Sequence, residues 1–182
     1  MTPTRYNRHA FLTLGSLAAL VTTAFSTTGG FMPAAPKPKP EPKSEPVPMV
    51  AVLTTAYSGG AQCNGAWAHR NAIGGKLKSG EVNSAAADWS RFPLGTKFRV
   101  VQTGQIYQID DYGSAMVGKD KIDLFMPSYS QVDRWGKRDV TIEIIEWGSP
   151  EKSLEILKPR ARVSYVRRMV EALKDNLEDS AG

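Results

Sequence analysis

The chain has 182 residues, 41% of them hydrophobic, and a formal net charge of +5, which suffices for one cored domain with extensions. A mildly basic surface suits an anionic polymer such as cell-wall material, nucleic acid or a membrane face, and charge alone does not choose among them. The single cysteine, Cys63, excludes an internal disulfide, and only two histidines, His9 and His69, leave little for a histidine-based triad or a histidine-rich metal site.

Arg5, Arg8 and His9 precede an apolar stretch from Phe11 to Phe25 that carries no acid. A cationic segment followed by a short apolar one predicts a secretory signal over residues 1–30, with an uncleaved N-terminal membrane anchor as the alternative. The expected location is therefore exported: periplasm, cell envelope or outer membrane. Residues 31–48 alternate proline with charge and predict an extended linker. From 49 to 148 the signals are short strands broken by glycine turns, and they predict a mainly β fold, a small barrel. Strands are expected at 50–57, 98–101, 105–109, 122–126 and 140–146. Residues 61–84 read as a long irregular loop, and Ser128 caps a short helix to Trp135. Cys63 reads as a small buried hydrophobe. In the extension 149–182, Val166, Met169, Val170, Leu173 and Leu177 recur at helical spacing. They predict a C-terminal amphipathic helix over about 162–177 that packs on the barrel; its arginines offer an alternative face for lipid or wall polymer.

Three aspartates stand out. Asp88 and Asp111 sit in turn-like contexts, where a structural role in the turn is the favoured reading of each taken singly. Asp123 lies inside the apolar run Ile122–Met126, where a carboxylate is costly unless paired or protonated. An acid beside an aromatic ring and other carboxylates has a raised pKa, stays protonated near neutrality, and can act as a general acid.

These residues also carry a family pattern. Thr-Ala-Tyr-Ser at 55–58, Cys-Asn-Gly at 63–65, Asp88 before Phe-Pro-Leu-Gly-Thr at 92–96, Asp-Tyr-Gly-Ser-Ala-Met at 111–116, Ile-Asp-Leu-Phe at 122–125 and Trp-Gly-Lys-Arg at 135–138 follow in order. Together they resemble the three-aspartate (3D) domain, related to the core of membrane-bound lytic transglycosylase A, over roughly Thr54 to Ile145. The resemblance implies a double-psi β-barrel acting on peptidoglycan glycan strands. Asp88, Asp111 and Asp123 would be the catalytic acids, with Asp123 as the acid/base. It implies no cofactor, no metal and no nucleic-acid partner. Tyr112 and Ser114 depart from the family's usual Thr and Gly, so Tyr112 either replaces the lost hydroxyl, stacks on sugar, or narrows the groove.

A lytic transglycosylase needs one acid/base, because the attacking hydroxyl belongs to the substrate. Tyr57, Gln108, Tyr112, Gly113, Ser114 and Lys121 are the expected substrate-binding residues. Lys121 and Arg138 are candidates for the carboxylates of the polymer. Trp67, Trp89 and Trp135 are aromatic candidates too, with Trp89 and Trp135 assigned to packing. A non-catalytic wall-binding module on the same barrel is the competing reading. An acid-dyad protease ranks last, since Asp111-Tyr112-Gly113 occurs once, and nothing in the spacing demands a metal held by three carboxylates.

Overall fold

The computed structural model describes residues 47–60 and 69–180, all within one unit spanning Lys43–Gly182. The N-terminal segment read as an export signal, nearly all of the linker, Cys63-Asn-Gly and Trp67 lie outside the described residues.

Six strands form a closed barrel. They are β1 (Met49–Tyr57), β2 (Val82–Ala86), β3 (Lys97–Val100), β4 (Ile106–Asp111), β5 (Lys121–Phe125) and β6 (Arg138–Glu146), and they pair in the order β1-β5-β2-β4-β3-β6. Two pairs, β1 with β5 and β2 with β4, are parallel; the other four are antiparallel. The mainly β expectation is met, and the paired parallel strands are consistent with the double-psi arrangement. Alternation explains the core. Val52, Phe98, Val100, Tyr107, Ile109, Ile122, Leu124, Val140, Ile142 and Ile144 all turn inward and are buried. Outside, Lys97 pairs with Glu146 at 2.6 Å and Arg99 with Glu143 at 2.7 Å.

Ser128 caps α1 (Tyr129–Trp135) as the sequence suggests, and the Trp135 indole donates inward to the Thr54 hydroxyl at 3.2 Å. The expected C-terminal helix is α3 (Ser164–Asp179), whose Val166, Met169, Val170 and Leu173 join the barrel's own core cluster, so packing is the role of this face. No helix among the described residues is long and apolar enough to cross a membrane.

Two elements correct the sequence reading. Residues 82–84, assigned to the irregular loop, begin β2. Val-Asn-Ser-Ala-Ala has little strand preference, and its neighbours on both sides impose the conformation. Between the barrel and α3 stands a further helix, α2 (Pro150–Leu157), capped by Ser149 and opened by Pro150. Serine at the cap and proline at the first position are ordinary start signals, and Leu157 on its inner face is buried.

Helix α2 receives the Phe-Pro-Leu-Gly-Thr turn. The fully buried Ser153 hydroxyl accepts from the Leu94 amide at 2.8 Å and donates to the Ser149 carbonyl, while the Gly148 amide donates to the Thr96 hydroxyl at 3.0 Å. The backbones meet so closely that a Cβ at Gly148 would press into the carbonyl oxygens of Leu94 and Pro93 and lie 2.6 Å from the Thr96 nitrogen. All three are main-chain atoms, so no side chain can move aside. Gly148→Ala should therefore cost about 1–3 kcal/mol or more. Gly80→Ala, where a Cβ meets nothing within 4 Å, should be nearly neutral. Equal urea midpoints for the two variants would contradict this account of the joint.

Candidate functional site

The site is built across four adjacent strands. Strand pairing sets Thr55 beside Asp123, Asp123 beside Ala86, and Ala86 beside Asp111. These four residues form one row on the outer face. Neighbouring strands are about 4.8 Å apart, so the two aspartate Cα atoms stand roughly 10 Å apart with only a methyl group between them. Ala86, Tyr57, Phe125 and Met116 form a small apolar cluster separate from the main core. They make the floor beside the two acids.

Asp111 reaches this face because β4 has one residue more than β2. Ala85 pairs with Ile109, but Ala86 pairs with Asp111, leaving Asp110 unmatched. Strict alternation would send residue 111 inward with Tyr107 and Ile109. The slip turns it outward, a use to which strand irregularities beside active sites are often put. The Trp89 indole fixes the slipped backbone by donating to the Asp111 carbonyl at 2.9 Å. Trp89 and Trp135 are both buried, which agrees with their assignment to packing.

Each acid is perturbed by a specific cause. Asp123 is half-buried, and loss of solvent raises its pKa. The Thr55 hydroxyl, donating at 2.7 Å to Oδ1, and the charge of Lys121 pull it partly back. The anticipated like-charge contribution falls elsewhere, on Asp111, where the charge of Asp110 adds to desolvation and lifts the pKa to about 6. The Asp111 carboxylate accepts from its neighbour's amide, Tyr112 N, at 2.9 Å and from the Tyr57 hydroxyl at 3.3 Å. Burial raises the Tyr57 pKa, and so do the charges of Asp111, Asp110 and Asp123, so one phenol faces three carboxyls and remains a proton donor.

Asp88 is placed differently from the other two predicted acids. It is 1% exposed; its Oδ1 accepts from the Ser90 amide and hydroxyl, and its Oδ2 from the Gly118 amide at 2.6 Å. It thereby ties the turn after β2 to the loop that joins Asp111 to Asp123, and the exposed Arg91–Asp120 ion pair makes the same link outside. Tyr112 is half-buried; its ring meets Trp89 edge-on at 5.0 Å and Tyr165 at 6.4 Å, and its hydroxyl accepts from Arg160 at 3.1 Å. Gly113 is half-buried, and a Cβ there would meet the end of Met116 at 2.9 Å. Ser114 is exposed and does not adopt positive φ, so serine is tolerated where the family pattern has glycine. Lys121 shares the outer face with Asp123. Gln108 lies apart from the row and makes a 3.4 Å contact to the Gly95 carbonyl. Arg138 spans the Trp135 ring at 4.5 Å and donates to the carbonyls of Arg134 and Trp135, so it braces the end of α1.

Sequence reasoning missed Thr55, Ala86 and Asp110 as parts of the site. Alternation within Thr55-Ala-Tyr57 carries the signal for Thr55, because it puts the hydroxyl on the same face as Tyr57. The register slip at Asp110 has no local signal. Among the described residues no group of three or more His, Cys, Asp or Glu is placed to hold a metal ion.

Comparison with known proteins agrees with the motif pattern. Residues 83–146 match the family model described as the 3D domain. Over 98 residues the chain is 38% identical to the "Putative cell wall shaping protein YabE" of Bacillus subtilis (strain 168), a match covering 53% of this chain and 23% of that protein. The chain therefore spans about a quarter of the relative's length.

The raised carboxyls carry a stability signature. The folded protein holds a proton on Asp111 up to about pH 6, whereas an unfolded chain releases it near the ordinary carboxyl pKa of 3.8. Stability contributed by that proton is lost as pH rises between the two values. Thermal denaturation should show Tm falling from pH 4.5 to 7, and the fall should flatten in Asp111→Asn. An unchanged slope in that variant would show that the burial of this acid is misjudged.

Proposed function

We propose that this chain is a lytic transglycosylase of peptidoglycan, cutting the bond between N-acetylmuramic acid and N-acetylglucosamine. The observation that carries the reading is the outward row Asp123–Ala86–Asp111, two half-buried acids whose pKa values burial raises, with only a methyl group between them. The 3D-domain match over residues 83–146 and the wall-related name of the relative support a cell-wall role.

The steps follow from the groups present. Protonated Asp123 donates to the glycosidic oxygen, and the bond to the muramic anomeric carbon breaks with oxocarbenium character. The 6-hydroxyl of the same sugar attacks that carbon, and its proton passes to the carboxylate of Asp123. The product is a 1,6-anhydro ring, no water is consumed, and the acid is restored. Attack from within the same ring gains from proximity. Asp111, ionised above about pH 6, stabilises the developing positive charge, and Tyr57 orients it. Thr55 and Lys121 set the proton affinity of Asp123. Asp88 acts through the loop it anchors, as a positioning residue. Export to the envelope by the N-terminal segment completes the proposal.

The competing reading, a wall-binding module without turnover, is favoured by one feature. Tyr112 is held by Arg160 and Tyr165 where the family pattern has a small hydroxyl-bearing residue. Digestion of purified peptidoglycan separates the two by product mass. Anhydro-muropeptides are expected from the native protein, with turnover lower by roughly 10²–10⁴-fold in Asp123→Asn. Ends heavier by one water would indicate a hydrolase, and bound but intact glycan would establish the module.

Thr55→Val removes the hydrogen bond that favours ionised Asp123. The alkaline limb of the pH–rate profile should then move to higher pH with the fold intact. A limb that stays in place, or moves down, rules out Asp123 as the acid whose ionisation ends activity.

A further inference from the structure

A second concavity, about 530 Å³, opens beside β4 where α2 begins, and neither Asp111 nor Asp123 lines it. Its size is that of an ordinary small-ligand site. Asp110 lines it and is 3% exposed. Oδ2 of that residue accepts from the Ser84 hydroxyl at 2.7 Å and the Asn71 amide at 3.0 Å. Its Oδ1 is the one buried side-chain polar atom among the described residues that has no hydrogen-bond partner. Buried acceptors are rarely left so, and at a cavity wall the missing donor has a route in from outside.

Two lysines in the lining carry the opposite charge. Lys78 and Lys152 are exposed, and neither makes an ion pair among the described residues. Glu146, the other acid in the lining, is engaged by Lys97. The positive end of α2 starts at Ser149, also in the lining. Trp147 is 51% exposed and stacks on Phe92 with ring centres 6.5 Å apart, offering an apolar wall together with Ile156. An acceptor at the floor, cations at the rim and an apolar wall between them suit a ligand with N–H donors, a carboxylate and aliphatic side chains.

We propose that this cavity binds a short peptide ending in a free carboxylate, specifically the peptide stem of wall glycan. Naming the stem as the source rests on the proposed function; the peptide chemistry of the cavity does not. Asp110 Oδ1 accepts a peptide N–H, Lys78 and Lys152 hold the terminal carboxylate, and Trp147 with Ile156 covers the alkyl groups. Since Asp110 and Asp111 share a peptide bond, a seated stem places its glycan beside the row of acids.

Isothermal titration with a glycan-free stem tetrapeptide of mixed L and D residues tests this on the native protein. Saturable binding is expected. It should weaken at least tenfold for the C-terminal amide and for the exposed substitutions Lys152→Glu and Trp147→Ala, and stay unchanged in Asp123→Asn. No saturation at millimolar peptide, or equal binding of acid and amide, overturns the site. Equal binding of an all-L tetrapeptide overturns the stem as its source. Because Asp123→Asn is expected to lower glycan cleavage by roughly 10²–10⁴-fold but leave peptide binding unchanged, failure of either reading is visible separately.

Discussion

The site depends on one unmatched residue in a parallel strand pair. Between Ile109 and Asp111, β4 takes a step that β2 does not, and the placement of Asp110 and Asp111 follows from that step. Asp111 turns from the barrel interior to the side of Ala86. Asp110 is left over and is drawn under Ser84 and Asn71. Without the slip, a carboxylate would enter a core filled by Tyr107, Ile109 and Leu124, where an isolated charge costs several kcal/mol. Barrel closure makes the slip usable, because β5 lies against β2 and brings Asp123 into the same row.

Holding these acids half-buried opposes folding, and the opposing terms lie elsewhere in the molecule. The barrel core continues into α2 and α3, with Leu157, Val166, Met169 and Leu173 each at most 1% exposed. Burying four such side chains contributes on the order of 6–12 kcal/mol, enough to offset several strained ionisations. The C-terminal helices are therefore part of the machinery in an energetic sense. They also grip the site mechanically, through Asn176 to the Ser90 carbonyl and Arg160 to the Ala72 carbonyl and Tyr112.

Much of this was legible in the sequence, for reasons that differ by element. Alternation in β6 and the placing of Ile122 and Leu124 around Asp123 give the inward and outward faces directly. Helical spacing from Val166 to Leu173 gives α3 and its buried stripe. The motifs give the acids and their order. What escaped was non-local. Ala85 and Ala86 form a strand only because β4 and β5 flank them, and the slip at Asp110 exists only relative to β2. Asp88 has the same sequence credentials as Asp111, yet its oxygens are taken up by Ser90 and the Gly118 amide. A sequence lists acids; only pairing says which of them share a face.

The replacement of the family threonine by Tyr112 takes on a different sense in this setting. A threonine side chain has no ring to set against Trp89 or Tyr165. The tyrosine instead points along the surface into the space between Trp89, Tyr165 and Arg160, and its backbone amide, not its side chain, meets the Asp111 carboxylate. The donor toward Asp111 then comes from Tyr57, on the opposite side of the row. Tyr112 thus forms a clasp between the barrel and its C-terminal extension. The clasp and the extension belong together: a barrel without α3 would take Tyr165 away from the Tyr112 ring and leave Arg160 and Trp89 to hold it.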